Sequence, residues 1–275
     1  MSAGDVSALL ISLREGVEMA LVVGIVLAYL GQVGARVARR SVWLGTGAAA
    51  LVSLAALGIL VALDAEFTGA TEMIFEGSTM LLAAVFLTWM ILWMSRHARA
   101  LKGELQRGVT EALAHGGAAW GLFLLVFFAL VREGVELALL LFAAPGQGKL
   151  LGSVAGLALA AGIGVLIYTF GRHVDLRSFF RFTTIFLVLF AAGLVAHGAH
   201  EFVEAGLAGG PTLFDLGETL PDKDGLGAVL RTLFGYSADP TALEGVIYVG
   251  YYVVIWLLSR TRLARAPIVA PRVAS

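Results

Sequence analysis

Six charged side chains stand inside stretches that are otherwise almost wholly apolar, and they form two matching groups. Leu13-Arg14-Glu15-Gly16-Val17-Glu18-Met19-Ala20-Leu21 recurs as Val131-Arg132-Glu133-Gly134-Val135-Glu136-Leu137-Ala138-Leu139. On a helix, Arg14, Glu15 and Glu18 share an arc of roughly 100°, and Arg132, Glu133 and Glu136 repeat it. A charged side chain at the centre of a bilayer costs about 2.5–3.5 kcal/mol on insertion scales, so such residues pair or serve function. Ion pairing alone explains one glutamate per arginine and leaves a second glutamate on each helix. Four glutamates against two arginines leave a formal charge of −2. A dry cluster of that charge takes up protons or binds a cation. Oxygen ligands without thiolates suit Mg, Mn, Ca or iron ions. An expensive feature that occurs twice favours cation binding at Glu15, Glu18, Glu133 and Glu136, supported by ion pairs from Arg14 and Arg132. Gly16 and Gly134 weaken their helices locally but permit close backbone approach.

Other polar residues offer secondary chemistry. His197, His200 and Glu201 share one helical face toward the outer end of an apolar stretch. Two histidines and a carboxylate suit an iron-like ligand set, and they equally suit a proton or hydrogen-bond cluster. Glu76 lies near Glu72, Glu66 and Asp64, either as a solvated acidic loop or as a funnel that draws in cations. Asp215, Glu218, Asp222 and Asp224 read the same way. Met90 and Met94 are expected to face lipid or fill packing gaps.

The elements that must position these groups are membrane helices. Of the 275 residues, 59% are hydrophobic and 14% charged, against roughly 45–50% and 25% in soluble domains. The mean hydropathy is +0.89. A net charge of −1 gives nucleic acid no basic face to bind, and the absence of cysteine removes disulfides, thiolate metal sites and redox dithiols. A spanning helix needs about 20 mainly apolar residues. Residues 5–30, 41–63, 72–95, 116–142, 151–170, 177–207 and 243–259 qualify. Their long unbroken runs fit helices rather than a barrel's short alternating strands. Met1 to Asp5 lacks the basic n-region of a cleaved signal, so the first stretch is expected to stay as a span.

Basic residues set the orientation. Arg36, Arg39 and Arg40 follow the first span, and Arg96, Arg99, Lys102 and Arg107 the third. Arg172, Arg177 and Arg181 follow the fifth, and Arg260, Arg262, Arg265 and Arg272 the seventh. The alternate connections hold only Lys149, Lys223 and Arg231. The N-terminus is therefore expected outside and the C-terminus in the cytoplasm. Trp43, Trp93, Trp120 and Trp256 fall near the cytoplasmic span ends, where aromatic belts form.

The repeat extends beyond the pentads, since Trp43-Leu44-Gly45-Thr46 is echoed by Leu150-Leu151-Gly152-Ser153. Residues 5–95 and 116–207 then form two units of three spans, which must insert in opposite senses, as in secondary transporters with midplane sites. Residues 243–259 add a seventh helix, after an outer connection at about 206–242 with a short amphipathic piece at 226–234. The expected fold is all-α: a single polytopic membrane domain over residues 1–275, built as a 3+3 inverted repeat plus one helix. Small residues at every fourth position, Gly45, Ala49 and Ser53, and Gly152, Gly156, Ala160 and Gly164, are expected to let helices pack closely.

Two R-E-G-x-E pentads in the first and fourth of seven spans resemble the high-affinity iron permease family, which includes fungal oxidase-coupled permeases and bacterial three-component iron uptake permeases. The resemblance covers essentially the whole membrane domain. It implies iron uptake across the inner (cytoplasmic) membrane, with Glu15, Glu18, Glu133 and Glu136 as ligands and Arg14 and Arg132 in support. The acidic start of the third span around Glu76 and the Trp89–Met94 stretch also look family-like. Iron, as Fe²⁺ or Fe³⁺, is then the transported substrate rather than a resident cofactor. The resemblance further implies a separate periplasmic or extracellular oxidase or iron-delivery protein, although the fungal acidic motif of the last outer loop has no clear match here. A carrier for Mn²⁺ or Pb²⁺, a proton-coupled carrier and a non-transporting membrane scaffold remain the alternatives. An enzyme is not expected, for no nucleophile–base pair adjoins the pentads.

Overall fold

The computed structural model describes residues 2–35, 38–97, 101–114, 118–146, 148–170, 176–207, 209–217, 219–222 and 225–263. The helices in chain order are α1 (Ala3–Gln32), α2 (Arg39–Glu66), α3 (Ala70–His97), α4 (Leu101–Ala114), α5 (Ala118–Ala143), α6 (Lys149–Phe170), α7 (Leu176–Glu204), α8 (Gly225–Phe234) and α9 (Ala242–Leu263). No strand occurs among the described residues beyond an isolated bridge between Thr212 and Thr241. The chain is thus all-α. Arg36, Arg99, Arg172, Lys223, Arg265 and Arg272 of the orientation argument, and the acids Glu218 and Asp224, lie outside the described residues.

The seven apolar stretches of the sequence fall on α1, α2, α3, α5, α6, α7 and α9. By length and composition, four segments can cross a bilayer: Arg39–Glu66, Ala70–Trp93, Lys149–Leu166 and Arg181–Glu204. Helices α1 and α5 have the length but carry the charges of the pentads. The first turn of α1 is fixed by a capping box. The Ser2 hydroxyl accepts from the Asp5 N–H at 3.1 Å, and the Asp5 carboxylate accepts from the Ser2 N–H at 2.9 Å. The other Asp5 oxygen accepts from the Gly152 N–H at 3.0 Å and so ties α6 to α1.

One connection differs from expectation. The basic stretch after the third span is helical as α4, with Leu105 and Val109 buried four residues apart and Glu104 and Glu111 exposed. Its apolar stripe packs on α5 and α1. The amphipathic piece expected at 226–234 forms α8.

Helix α1 packs along α6, α2 along α5 and α3 along α7, and α1 also crosses α5. Exchanging α1 with α5, α2 with α6 and α3 with α7 leaves this pattern unchanged. The match extends to single residues. A Cβ on Gly45 would lie 2.8 Å from the Phe123 carbonyl, and one on Gly152 would collide with the Asp5 carbonyl. Asp5 stands to Phe123 as Arg14 stands to Arg132. The pentad glycines behave alike: a Cβ on Gly16 would lie 2.6 Å from the Ala160 methyl, and one on Gly134 would collide with the Ser53 hydroxyl. The small-residue stripes of α2 and α6 are therefore the surfaces against which each pentad helix seats.

Helices α1 and α5 run antiparallel. Val22, Val26 and Leu30 of α1 cluster with Leu122, Val126 and Leu130 of α5 at one end. Ile11 of α1 joins Leu137 and Leu140 of α5 at the other, together with Leu87 and Phe190 of α3 and α7. The pentads lie between these two apolar clusters. Large apolar side chains on the outward faces of α2 and α6, such as Leu51, Ile59, Leu151 and Val165, are exposed, as suits lipid.

Candidate metal centre

The crossing of α1 and α5 brings the two pentads together. Glu15 from α1 and Glu133 and Glu136 from α5 each offer a carboxylate oxygen, and the three oxygens lie within 4.8 Å of one another. All three residues are buried, Glu15 at 0% exposure. The Oε2 atoms of Glu15, Glu133 and Glu136 are buried without a hydrogen-bond partner. An unpartnered buried carboxylate oxygen is costly. Three buried carboxylates drawn this close form an arrangement that a cation stabilises.

The arginines hold the remaining oxygens. Arg14 reaches both of its neighbours, Nη1 to Glu15 Oε1 at 2.5 Å and Nη2 to Glu18 Oε1 at 2.8 Å. Arg132 Nε donates to Glu136 Oε1 at 2.9 Å and lies 3.8 Å from Glu133 Oε1. No pentad glutamate is therefore left away from a guanidinium, although ion pairing alone accounted for one glutamate per arginine. Each arginine spans both glutamates of its own pentad, because the i+1 and i+4 positions flank it on the same face. What stays free is one oxygen on each of Glu15, Glu133 and Glu136. Glu18 is buried and bound to Arg14, and its oxygens are not among the converging three.

Helix α3 supplies neighbours that the sequence reading did not assign to the site. Met90 is buried, and its Sδ accepts from Arg14 Nη1 at 3.3 Å. It packs in the apolar cluster of α3, α5 and α7, as one of its two expected roles had it, and its sulfur also partners a charged group. The Arg132 guanidinium lies 4.4 Å from the centroid of the Trp93 ring and 5.7 Å from that of Trp89. Trp93 thus serves an interior cation as well as a position near a span end. The spacing of Trp89, Met90 and Trp93 on one helix was the available signal, but nothing local to it points to the distant pentads.

A cavity of about 1150 Å³ is lined by residues of α2, α5, α6 and the 206–242 connection, and Gly134 is the pentad residue on its wall. Ser53, Asp64, Glu76, Glu201 and Lys149 also line it. Lys149 donates to the carbonyls of Leu141 and Phe142 at 3.0 and 3.2 Å, closing the end of α5. Glu76 and Glu201 thus share one cavity, while Glu72 and Glu66 are exposed on the surface.

The three residues of the α7 trio have different hydrogen-bond partners. Glu201 and His197 both line the cavity, while His197 also bonds to α8 and His200 to α9. His197 Nδ1 donates to the Gly193 carbonyl at 3.1 Å, and its Nε2 accepts from Arg231 Nε at 3.2 Å. Arg231 also donates to Asp222 at 2.6 Å. His200 faces Glu244 at 3.0 Å and Glu204 at 3.2 Å. Both imidazoles hydrogen-bond to side chains of α8 and α9 and so tie these helices to α7. Arg231 and Glu244 were missed as partners because single charges in a loop or first turn carry no distinguishing pattern.

The chain matches the model of the iron permease FTR1 family over residues 5–266. It is 35% identical to the ferrous iron permease EfeU of Yersinia pestis over 274 residues, covering 96% of this chain and 97% of that one. It is also 35% identical to the ferrous iron permease EfeU of Escherichia coli (strain UTI89 / UPEC), over 252 residues, 89% of this chain and 91% of that one. The same figures hold for the Shigella sonnei protein of that name. No solved structure matches the chain. Two pentads facing each other across paired helices, in a sequence matched from end to end, lead to one conclusion: the chain belongs to the iron permease FTR1 family.

Proposed function

We propose that this protein imports iron across the cytoplasmic membrane through a carboxylate site at the crossing of α1 and α5. The observation that carries the reading is the convergence of Glu15, Glu133 and Glu136, three buried carboxylates that each keep an unpartnered oxygen. Glu18 completes the acidic set, and Arg14 and Arg132 hold the four carboxylates in register. The architecture is seven spanning helices, a 3+3 inverted repeat plus α9, in one domain with the N-terminus outside and the C-terminus inside. The distribution of basic residues and the antiparallel crossing of α1 and α5 support it.

In this reading Asp64, Glu76 and Glu201 concentrate cations in the cavity, the pentad glutamates replace part of the ion's water shell, and rearrangement of one repeat against the other releases it inward. The formal charge of −2 matches Fe²⁺ without burying net charge. Fe³⁺ leaves +1 and calls on Glu76 or Glu201. The ferrous permeases among the similar proteins favour the first. The test is uptake of Fe²⁺ and Fe³⁺ into proteoliposomes at two pH values. Glu15→Ala, Glu133→Ala and Glu136→Ala are each expected to reduce Fe²⁺ uptake by no less than the about 10–100-fold that losing a supporting group costs a metal site; unchanged uptake rejects the site. An all-oxygen donor set also suits Mn²⁺. Competition by Mn²⁺ and Pb²⁺ separates a carrier selective for iron from a general divalent carrier.

A further inference from the structure

The two pentad arginines are held differently. The Arg14 side chain is 2% exposed, fixed by Glu15, Glu18 and the Met90 sulfur. The Arg132 side chain is 34% exposed, holds Glu136 closely and Glu133 loosely, and rests over the faces of Trp93 and Trp89. A cation arriving at the free oxygens of Glu133 and Glu136 repels both guanidiniums. Arg14 has no room to move; Arg132 has an exposed side and an aromatic surface already beneath it. We propose that Trp93 and Trp89 form a shelf that carries the Arg132 guanidinium as it slides off Glu133 and Glu136 when the ion enters, and that returns it when the ion leaves. Trp93 is thus a positioning residue that acts through Arg132. The indole face attracts the guanidinium through its quadrupole, the more so where water is scarce. Arginine suits the task because its planar head can stack on a ring while it gives up a carboxylate. The exchange keeps a positive charge close to the acidic cluster in both states, so the empty site is never left at its full negative charge.

The proposal rests on the carboxylate reading above, and the experiment separates the two. Initial rates of Fe²⁺ uptake into proteoliposomes are compared for the unmodified protein, Trp93→Leu, Trp93→Phe and Glu133→Gln. Without the shelf, the displaced guanidinium falls back on the carboxylates and competes with the ion. Trp93→Leu is therefore expected to raise KM by about 2–30-fold at unchanged maximal rate, and Trp93→Phe, which keeps an aromatic face, to restore most of the affinity. An unchanged KM in Trp93→Leu, or equal damage in Trp93→Phe, overturns the shelf while loss of uptake in Glu133→Gln leaves the site standing. Normal uptake by Glu133→Gln overturns both. Should Trp93→Leu fail to fold, Trp89→Leu at the exposed edge of the shelf carries the same test with the same sign and a smaller shift.

Discussion

The two pentads share a sequence and differ in surroundings. In the first, Arg14 is enclosed by α1, α3 and its two glutamates. In the second, Arg132 is half-open, gripped by one glutamate and an aromatic shelf. The same asymmetry marks the packing around the pentad helices. On the α1 side, a Cβ on Gly164 would lie 2.7 Å from the Ala20 methyl, so that end is closed. The equivalent residues on the α5 side, Leu57 and Ala138, line the cavity. A repeat that is symmetric in sequence is thus packed differently at these two equivalent positions. In an inverted repeat, exchanging these two arrangements exposes the site to the opposite face.

The largest expected difference between the halves is in the arginines. Arg14→Ala leaves Glu15 and Glu18 as uncompensated buried charges and is expected to cost about 3–5 kcal/mol of stability, enough to prevent accumulation of folded protein. Arg132→Ala, partly exposed, is expected to cost about 1–2 kcal/mol. Thermal unfolding of the purified variants in detergent reads both, and equal losses would erase the distinction. Accessibility sharpens the comparison next. The chain has no cysteine, so single cysteines report directly. Ser53→Cys lines the cavity, whereas its counterpart Ala160→Cys is sealed against Gly16. A membrane-impermeant thiol reagent added from outside is expected to label Ser53→Cys at least about tenfold faster, a rate difference set by exposure. Comparable rates would mean that both halves are open. The smallest effect concerns the seating of α5. Gly134→Ala places a methyl on the Ser53 hydroxyl and is expected to cost about 1–3 kcal/mol. Adding Ser53→Gly should recover most of that loss, and a double variant no better than Gly134→Ala would show that the contact is not what the glycine serves.

Much of this architecture is legible along the chain because a bilayer imposes a coarse rule. Long apolar runs declare the helices, and charges inside them declare a site. The repeat is visible residue by residue, from the pentads to Gly45 and Gly152, and so are the small-residue stripes. Helix α4 escaped because its Lys102 and Arg107 resemble a basic connection between spans, although Leu105 and Val109 already had helical spacing. The partners of the trio on α7 were not legible because a shared helical face spans several neighbours: Glu201 meets α3, His197 meets the cavity and α8, and His200 meets α9.

What the sequence alone determined is the identity of the charged groups, their duplication and the apolar helices that carry them. Local spacing and hydropathy suffice for these, since each is a property of one segment. Only the tertiary structure decided which oxygens remain free and which arginine is locked. Those facts depend on contacts such as Arg14 with Met90, 76 residues apart, where a side chain's role is set by a neighbour that no local pattern announces.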